Sequence, residues 1–487
     1  MLFNSYGYLL FLLIAVPACL LVSGRARAWL MLGFSIAFYA MWRIDFALLV
    51  LFSGMVDYVA SHRISATENS SRRRAWLVAS LVINIGLLLF FKYTYFVLES
   101  ASGIFGFFST NANHAGSFEG LNIILPLGIS FYTFQSISCT VDVYRKVIKP
   151  VKSPVVFLAY VMYWPQLIAG PILRVSEVAP QLVARHRPNF GDIAAGLERI
   201  FLGLFKKVVI ADNLARFVDP LFAADPSALG PFDIWIAAIL FGFQIYFDFS
   251  GYSDVAIGSA RLAGVKFPEN FNWPYVASSP KDFWRRWHIS LSSWIRDYLY
   301  LPLTGRKFQT SSHGGLSTAS DDASDSKRLN FALFTTWFIM GLWHGAGWNF
   351  ALWGVMHAIW IYMFRSAWAV RALSGRVLVS SSITFAAAML TWIPFRAESL
   401  DQSLTMLGTL ANPFAYSLSN RFAGGMDYLV CALLIAGYFI FYQVSKSQFW
   451  RSDTVFGNAV RSAGLAVVVA VTFLYLRPVQ QFIYFQF

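Results

Sequence analysis

Two histidines stand where an apolar residue would be the cheaper choice. His288 lies in "WRRWHISLS" and His344 in "GLWHGAG", each directly after a tryptophan. Imidazole is the side chain most easily poised for proton transfer near neutral pH. Polar groups in apolar segments are costly and tend to mark function. The competing reading of each is a packing histidine that makes one hydrogen bond. His357, in the same apolar run as His344, is a weaker third candidate, and His313, among serines and aspartates, reads as solvated. No metal site is indicated. Cys19, Cys139 and Cys431 show no paired spacing, and there is no P-loop, GxSxG or HExxH. No histidine has an aspartate five positions on, which sets the soluble acyltransferase pattern aside.

The segment that carries His344 shows what must position it. From Leu329 to Phe364 there are 36 residues without a charge. As one helix they would span about 54 Å, against a bilayer core of about 30 Å. The run must therefore fold back or break. Gly345 and Gly347 are the natural place, which leaves His344 at an interrupted membrane helix. Read as one helix, Pro280–Leu303 puts Trp284, Trp287, His288, Leu291, Ile295 and Tyr298 on one face, and Arg285, Ser292 and Arg296 on another. That is an amphipathic helix suited to the membrane interface.

The whole chain fits this setting. Its 487 residues are 57% hydrophobic and 13% charged, about half the charge of an ordinary globular domain. It reads as an all-α multi-pass membrane protein with no separate soluble domain. The net charge of +13 could point to nucleic acid, but basic loops that orient membrane helices explain it better. Met1–Gly24 has no charge before its apolar run, so it reads as a first membrane helix and not a cleavable signal. Apolar segments recur near 6–23, 75–98, 121–143, 154–173, 233–261, 329–364, 377–395, 428–445 and 462–476. The region 29–60, interrupted at Trp42–Asp45, reads as a hairpin, giving about eleven crossings. Basic clusters at Arg25/Arg27, Arg63 with Arg72–Arg74, and Arg145–Lys152 place those loops in the cytoplasm. The Ala101–Gly120 loop, without Lys or Arg, is then external, as is the N-terminus. Between Arg174 and Lys307 the apolar runs shorten, as expected of interfacial or partly inserted helices. Ser311–Lys327 reads as a flexible surface loop.

Two further motifs hold charge. "YFDFSGYSDVAIG" carries Asp248 and Asp254, six residues apart and off a common helix face. Pairing with basic residues suits them better than joint acid–base chemistry, and Gly251 suggests a bend. "WPQLIAGPILR" reads as a turn or re-entrant element that ends at Arg174, a partner for an acid or a phosphate.

Together "LIAGPILR", "QIYFDFSGYSDVAIG", "FPENFNWPYVASSPKDFWRRWHISLSSWIRDYLYLPL" and "GLWHGAGWNFALWGVMHA" resemble the membrane-bound O-acyltransferase family. "FKYTYF" and "LPLGISFYTFQSISCTVDVYR" fit as well, so the resemblance covers residues 1–365. It is similar to the branch that O-acetylates alginate, cellulose or cell-wall polymers. The resemblance implies a single domain, with N-terminal helices (1–150), a catalytic core (151–365) and C-terminal helices (366–487). Its helices would form a ring, with re-entrant and interfacial elements around a central tunnel. It implies catalytic roles for His344 and His288. Arg285, Arg286, Arg296, Trp287, Trp343, Asn349, Asp248 and Arg174 are donor- or substrate-binding candidates. It also implies acetyl-CoA as acyl donor with no bound cofactor, a bacterial inner-membrane location, and a periplasmic SGNH-type acetyltransferase partner beside a polysaccharide synthase or export complex. A proton-coupled transporter using the histidines as a relay, or a non-catalytic scaffold of such a complex, are the alternatives.

Overall fold

The computed structural model describes residues 3–108, 123–168, 170–184, 188–305, 308–310, 316–318, 326–365, 375–417, 422–448 and 454–476. The described residues are helical apart from short connections and one antiparallel strand pair, Phe308–Thr310 with Leu316–Thr318. They fall into two compact units. The first takes residues 9–189 and 260–267, and the second residues 2–8, 190–259 and 268–487.

The first unit is built on α1 (Tyr6–Leu21), α2 (Gly24–Ala40) and α3 (Ile44–Ser65). The expected hairpin in the second apolar region is present. Arg43 pairs with Asp45 at 2.6 Å where α2 gives way to α3. α4 (Ser70–Leu88) passes through a π-helical turn into α5 (Thr94–Phe108). The helix therefore takes up the first eight residues of the expected 101–120 loop, and 109–122 lie outside the described residues. α6 (Ile129–Tyr144) follows, then α7 (Pro154–Met162), a single turn α8 (Trp164–Leu167) and α9 (Val175–Val183). Asp57 of α3, fully buried, accepts from Ser80, from Asn84 of α4 at 3.1 Å and from Thr140 of α6 at 3.1 Å. Such a satisfied polar cluster fixes the register of three apolar helices that would otherwise slide. The expected turn after α7 forms. Gln166 donates to the Tyr160 carbonyl at 2.6 Å, and Tyr160 donates to that of Leu173 at 2.8 Å. Gly128 has φ 71°, and a Cβ there would lie 2.2 Å from the Leu167 carbonyl oxygen, so the head of α6 meets this turn only because the residue is glycine.

Two arginines of the basic clusters have a structural role. Arg27 is buried and donates to the carbonyls of Ala184, at the end of α9, and of Ala263. Arg73 donates to the carbonyls of Ile64 at 2.9 Å and Tyr144 at 2.7 Å, in the last turns of α3 and α6. A guanidinium satisfies such orphan carbonyls and opposes the negative ends of the helix dipoles. Arg72 and Arg74 stay exposed, so topology is best tested there. Arg74→Cys is expected to be shielded from an impermeant thiol reagent in intact cells, and Ser117→Cys to react. The three native cysteines are buried and will contribute little background. Equal labelling would overturn the orientation.

The second unit opens with α10 (Phe190–Leu204), a π turn and α11 (Asp212–Ala223), then α12 (Pro231–Leu262). α12 is continuous through Gly251, so the expected bend is not the role of that glycine. A Cβ on Gly251 would lie 2.7 Å from the Gly203 carbonyl oxygen, and one on Gly258 2.6 Å from that of Gly196. The two glycine pairs bring the backbones of α10 and α12 together, the small-residue contact that membrane helices use.

The segment expected as one amphipathic helix over 280–303 is instead broken. It comprises α13 (Pro280–Trp284), α14 (Ile289–Ile295), a π turn at 296–300 and α15 (Leu301–Thr304). His288 sits at the break with φ 42°, ψ 56°, a left-handed conformation that ends any helical face. α16 (Ser326–His344) and α17 (Trp348–Phe364) follow, and the expected interruption of the charge-free run falls at 345–347. They are 19 and 17 residues long, about 28 and 26 Å. The remaining helices are α18 (Val377–Arg396), α19 (Leu400–Ala411), α20 (Gly425–Lys446) and α21 (Val455–Tyr475). Of the 311–327 loop, the residues at 311–315, with His313, and at 319–325 lie outside the described residues. Among the described residues six helices are long and apolar enough to cross a membrane: α3, the α4–α5 rod to Ser102, α12, α18, α20 and α21. The chain is a multi-pass, all-α membrane protein.

Candidate active site

His344 is the last residue of α16 and only 4% exposed. Its ring packs against Trp343 at 4.9 Å, Trp353 at 4.8 Å and Phe395 at 5.3 Å. The break that places it there is held from both sides. A Cβ on Gly345 would lie 2.1 Å from the Phe350 ring. Asn349, in the first turn of α17, donates to the carbonyls of Pro394 at 3.1 Å and Ala397 at 2.8 Å. Asn349 therefore ties α17 to the end of α18, which supplies Phe395 to the histidine. Trp343 is part of the same wall. The sequence pointed to both residues as ligand contacts, and in the fold both support the histidine.

His288 is built differently. It is fully buried, with Phe249 at 4.6 Å and Phe271 at 6.3 Å from its ring. Its Nδ1 lies 3.1 Å from Asn270 Oδ1. The same oxygen accepts from the Ser290 hydroxyl at 2.9 Å and the Ser290 amide at 3.3 Å, while Asn270 Nδ2 donates to Ser253 at 3.0 Å. That network fixes the Asn270 amide with its oxygen toward the histidine. Nδ1 then carries the proton of a neutral imidazole, and Nε2 is an acceptor. The Asn270 carbonyl also accepts from Ile289 N at 2.9 Å. Asn270 thus creates the left-handed turn that the spacing over 280–303 could not reveal. It was legible only as a polar residue among aromatics in "PENFNW".

The two histidines face different walls, joined by rings. Phe271 meets Trp287 at 5.1 Å, Trp287 meets Trp392 at 4.8 Å, and Trp392 meets Trp353 at 6.5 Å. Trp287 is therefore a rung of this aromatic ladder. Trp353 also touches His357 at 4.6 Å, and His357 stacks on Trp337 at 5.1 Å. His357 is fully buried, and neither ring nitrogen has a hydrogen-bond partner among the described residues, as suits a neutral packing ring.

The charged candidates separate. Asp248 and Asp254 pair with basic residues, as expected. Lys207 lies 2.6 Å from Asp248 and 2.7 Å from Asp212, and Asp254 holds Lys206 at 2.6 Å and Arg199 at 2.8 Å. Burial drags the Lys207 ammonium down, but Asp248 and Asp212 outweigh it and hold it above its usual value. Arg286 gives its Nε to Asp282 at 2.9 Å and a second nitrogen to the Asn272 carbonyl at 3.3 Å. Arg285 is exposed. Arg296 pairs with Asp297 at 2.7 Å and lines a slot beside α16, together with Arg365. Arg174 lies in the first unit at the head of α9.

A buried histidine at a helix break, walled by tryptophans, needs a precedent before a reaction can be named. Residues 145–320 match the model of MBOAT, the membrane-bound O-acyltransferase family. The probable alginate O-acetylase AlgI of Pseudomonas aeruginosa is 37% identical over 461 residues, covering 93% of this chain and 82% of the relative. That of Azotobacter vinelandii is 37% identical over 459 residues, covering 92% and 86%. The peptidoglycan O-acetyltransferase of Helicobacter pylori is 32% identical over 513 aligned positions, covering 95% and 91%. With identities of 32–37% along most of both chains, this chain belongs to the membrane-bound O-acyltransferase family and is an acyltransferase.

Proposed function

We propose that the chain passes acetyl groups from cytoplasmic acetyl-CoA across the bacterial inner membrane for O-acetylation of an exopolysaccharide such as alginate or cellulose. The acceptor is the polymer or a serine of a periplasmic SGNH-type acetyltransferase partner, within a polysaccharide synthase or export complex. About eleven crossings, with re-entrant and interfacial helices around a central tunnel, would bring donor and acceptor to one histidine from opposite sides. The observation that carries this reading is His344 itself: a buried imidazole at the end of α16, walled by aromatic rings. The relatives named for O-acetylation of alginate and of peptidoglycan support the choice of acetyl group and polymer.

The chemistry asked of the site is compact. A hydroxyl is a poor nucleophile until a base takes its proton. His344 accepts that proton as the oxygen attacks the thioester carbonyl. The C–S bond breaks as the C–O bond is retained, and the proton passes to the leaving thiolate, giving ester and thiol. His288, with Nδ1–H committed to Asn270, offers an acceptor at Nε2. That suits orienting a hydroxyl better than donating to an oxyanion.

The direct test is purified protein with radiolabelled acetyl-CoA and candidate acceptors. Thiol release coupled to acceptor labelling is expected, and solute flux without thioester consumption would overturn the reading. Arg285 and Arg286 supply a kinetic test. Contacts to donor phosphates are made equally in ground and transition states. Neutralising both is expected to raise the KM for acetyl-CoA more than it lowers kcat. A fall in kcat at unchanged KM would assign them to the chemistry or its geometry.

A further inference from the structure

Most basic residues of the first unit described so far have partners. Arg27 and Arg73 hold helix-end carbonyls, Lys146 lies 3.7 Å from Glu68, and Arg63 lies 5.8 Å from the centre of the Trp76 ring. Arg25 and Lys152 differ. One stands at the head of α2 and the other just before α7, far apart in the chain, yet both line one cavity of about 280 Å³. Both are exposed, and neither has an ion-pair partner among the described residues. No acid lines the cavity. The positive-inside rule accounts for basic loops but not for their convergence. Two cations lining one space with no acid between them repel, and an anion relieves that repulsion.

The backbone on both sides of the cavity is held in place. Tyr58 of α3 donates its hydroxyl to the Lys152 carbonyl at 3.0 Å. Arg25 lies two residues before Arg27, whose guanidinium is buried on the carbonyls of Ala184 and Ala263. Ser153, also in the lining, is the N-cap of α7, but its hydroxyl makes no bond to the helix amides. Ser279 and Ser399 make that bond at the heads of α13 and α19, as N-cap serines commonly do. The Ser153 hydroxyl is thus left for another acceptor, and the positive end of the α7 dipole adds to the same sign.

Trp29, in the same lining, indicates which anion. It is exposed, and beyond it α2 leads away from the charges: the chain has none from Ala28 to Trp42. Trp29, Gly33 and Ala37, at i, i+4 and i+8, are exposed in a row. A Cβ on Gly33 would meet nothing within 4 Å, so the row dips there into a furrow. A soluble phosphate ester has no use for an apolar furrow beside its site, whereas an acyl chain does.

We propose that this cavity binds a phosphate ester through Arg25, Lys152 and Ser153. Its occupant is the headgroup of an anionic phospholipid of the cytoplasmic leaflet, with acyl chain lying along Trp29, Gly33 and Ala37. Basic pockets between membrane helices on the cytoplasmic side suit such headgroups. The volume is near the small end of ligand pockets, roughly 300–1,000 Å³, which fits a headgroup whose chains lie outside. The choice of leaflet rests on the orientation tested with Arg74→Cys. Binding in detergent does not depend on it, so the two readings fail separately.

The experiment titrates the delipidated, detergent-purified full chain with phosphatidylglycerol, phosphatidylcholine and soluble glycerol 3-phosphate, and reads bound ligand by native mass spectrometry. Phosphatidylglycerol is expected to bind more tightly than phosphatidylcholine. Arg25→Gln/Lys152→Gln is expected to weaken phosphatidylglycerol about 25-fold, about fivefold per basic residue, and to change phosphatidylcholine less than about twofold. Unchanged phosphatidylglycerol affinity would overturn the site. Equal losses for both lipids would show a general effect on the fold and overturn it too. Gly33→Leu fills the furrow and leaves both cations in place. It is expected to weaken phosphatidylglycerol about 4- to 15-fold, the worth of one or two methylene contacts. Unchanged affinity in that variant would overturn the placement of the acyl chain. Glycerol 3-phosphate that displaced the lipid at equal concentration would assign the cavity to a free phosphate ester and overturn the lipid.

Discussion

His344→Ala is expected to lose acetyl transfer by about 10²- to 10⁴-fold, the usual cost of removing a positioned base. His344→Gln is the more informative variant. Glutamine fills much of the same space between Trp353 and Phe395 and keeps hydrogen-bonding atoms, but it cannot take up a proton at neutral pH. It should be nearly as inactive as the alanine variant. A histidine that only packs would behave otherwise: glutamine would restore most activity, and any loss would follow the amount of folded protein. Both variants should therefore be purified, matched in melting behaviour and assayed for acetylation of polymer or partner. Substantial activity in the glutamine variant would remove the general base from the mechanism and leave the family membership untouched.

The site was legible in the sequence wherever its cause is local. The break after His344 follows from a charge-free run too long for one crossing and from two glycines in its middle, and α16 ends there. The hairpin at Trp42–Asp45 is of the same kind. What the sequence hid has causes far along the chain. The left-handed turn at His288 is made by Asn270, eighteen positions earlier, and no periodicity within 280–303 reports it. Gly251 looked like a bend because glycine weakens a helix, but its partner is the Gly203 carbonyl on another helix. In the sequence, Arg27 and Arg73 show only their charge, which orients the chain. Their donors are spent on helix-end carbonyls that only the folded chain brings near.

The same distinction between local and distant causes gives a strong test of how the site is held. A Cβ on Gly354 of α17 would lie 2.1 Å from the Trp337 carbonyl oxygen and 3.3 Å from Gly341 Cα. One on Gly341 of α16 would lie 2.2 Å from the Phe350 carbonyl oxygen. The two helices thus touch backbone to backbone at reciprocal glycines, one turn before His344. Carbonyl oxygens of helical residues cannot swing aside, so Gly354→Ala must push the helices apart by about 1 Å to restore van der Waals contact. A displacement of that size at a catalytic group can cost about 10²-fold in rate, and the overpacking itself costs about 1–3 kcal/mol of stability. The expected result is a kcat lowered by about 10²-fold in folded protein assayed well below its Tm. Gly408→Ala is the control, since a Cβ there meets nothing within 4 Å, and removing a helical glycine at an open position is neutral or slightly stabilising. If Gly354→Ala turned over acetyl donor at the wild-type rate, the close α16–α17 contact would not be what positions His344, and Asn349 with the end of α18 would have to hold it alone.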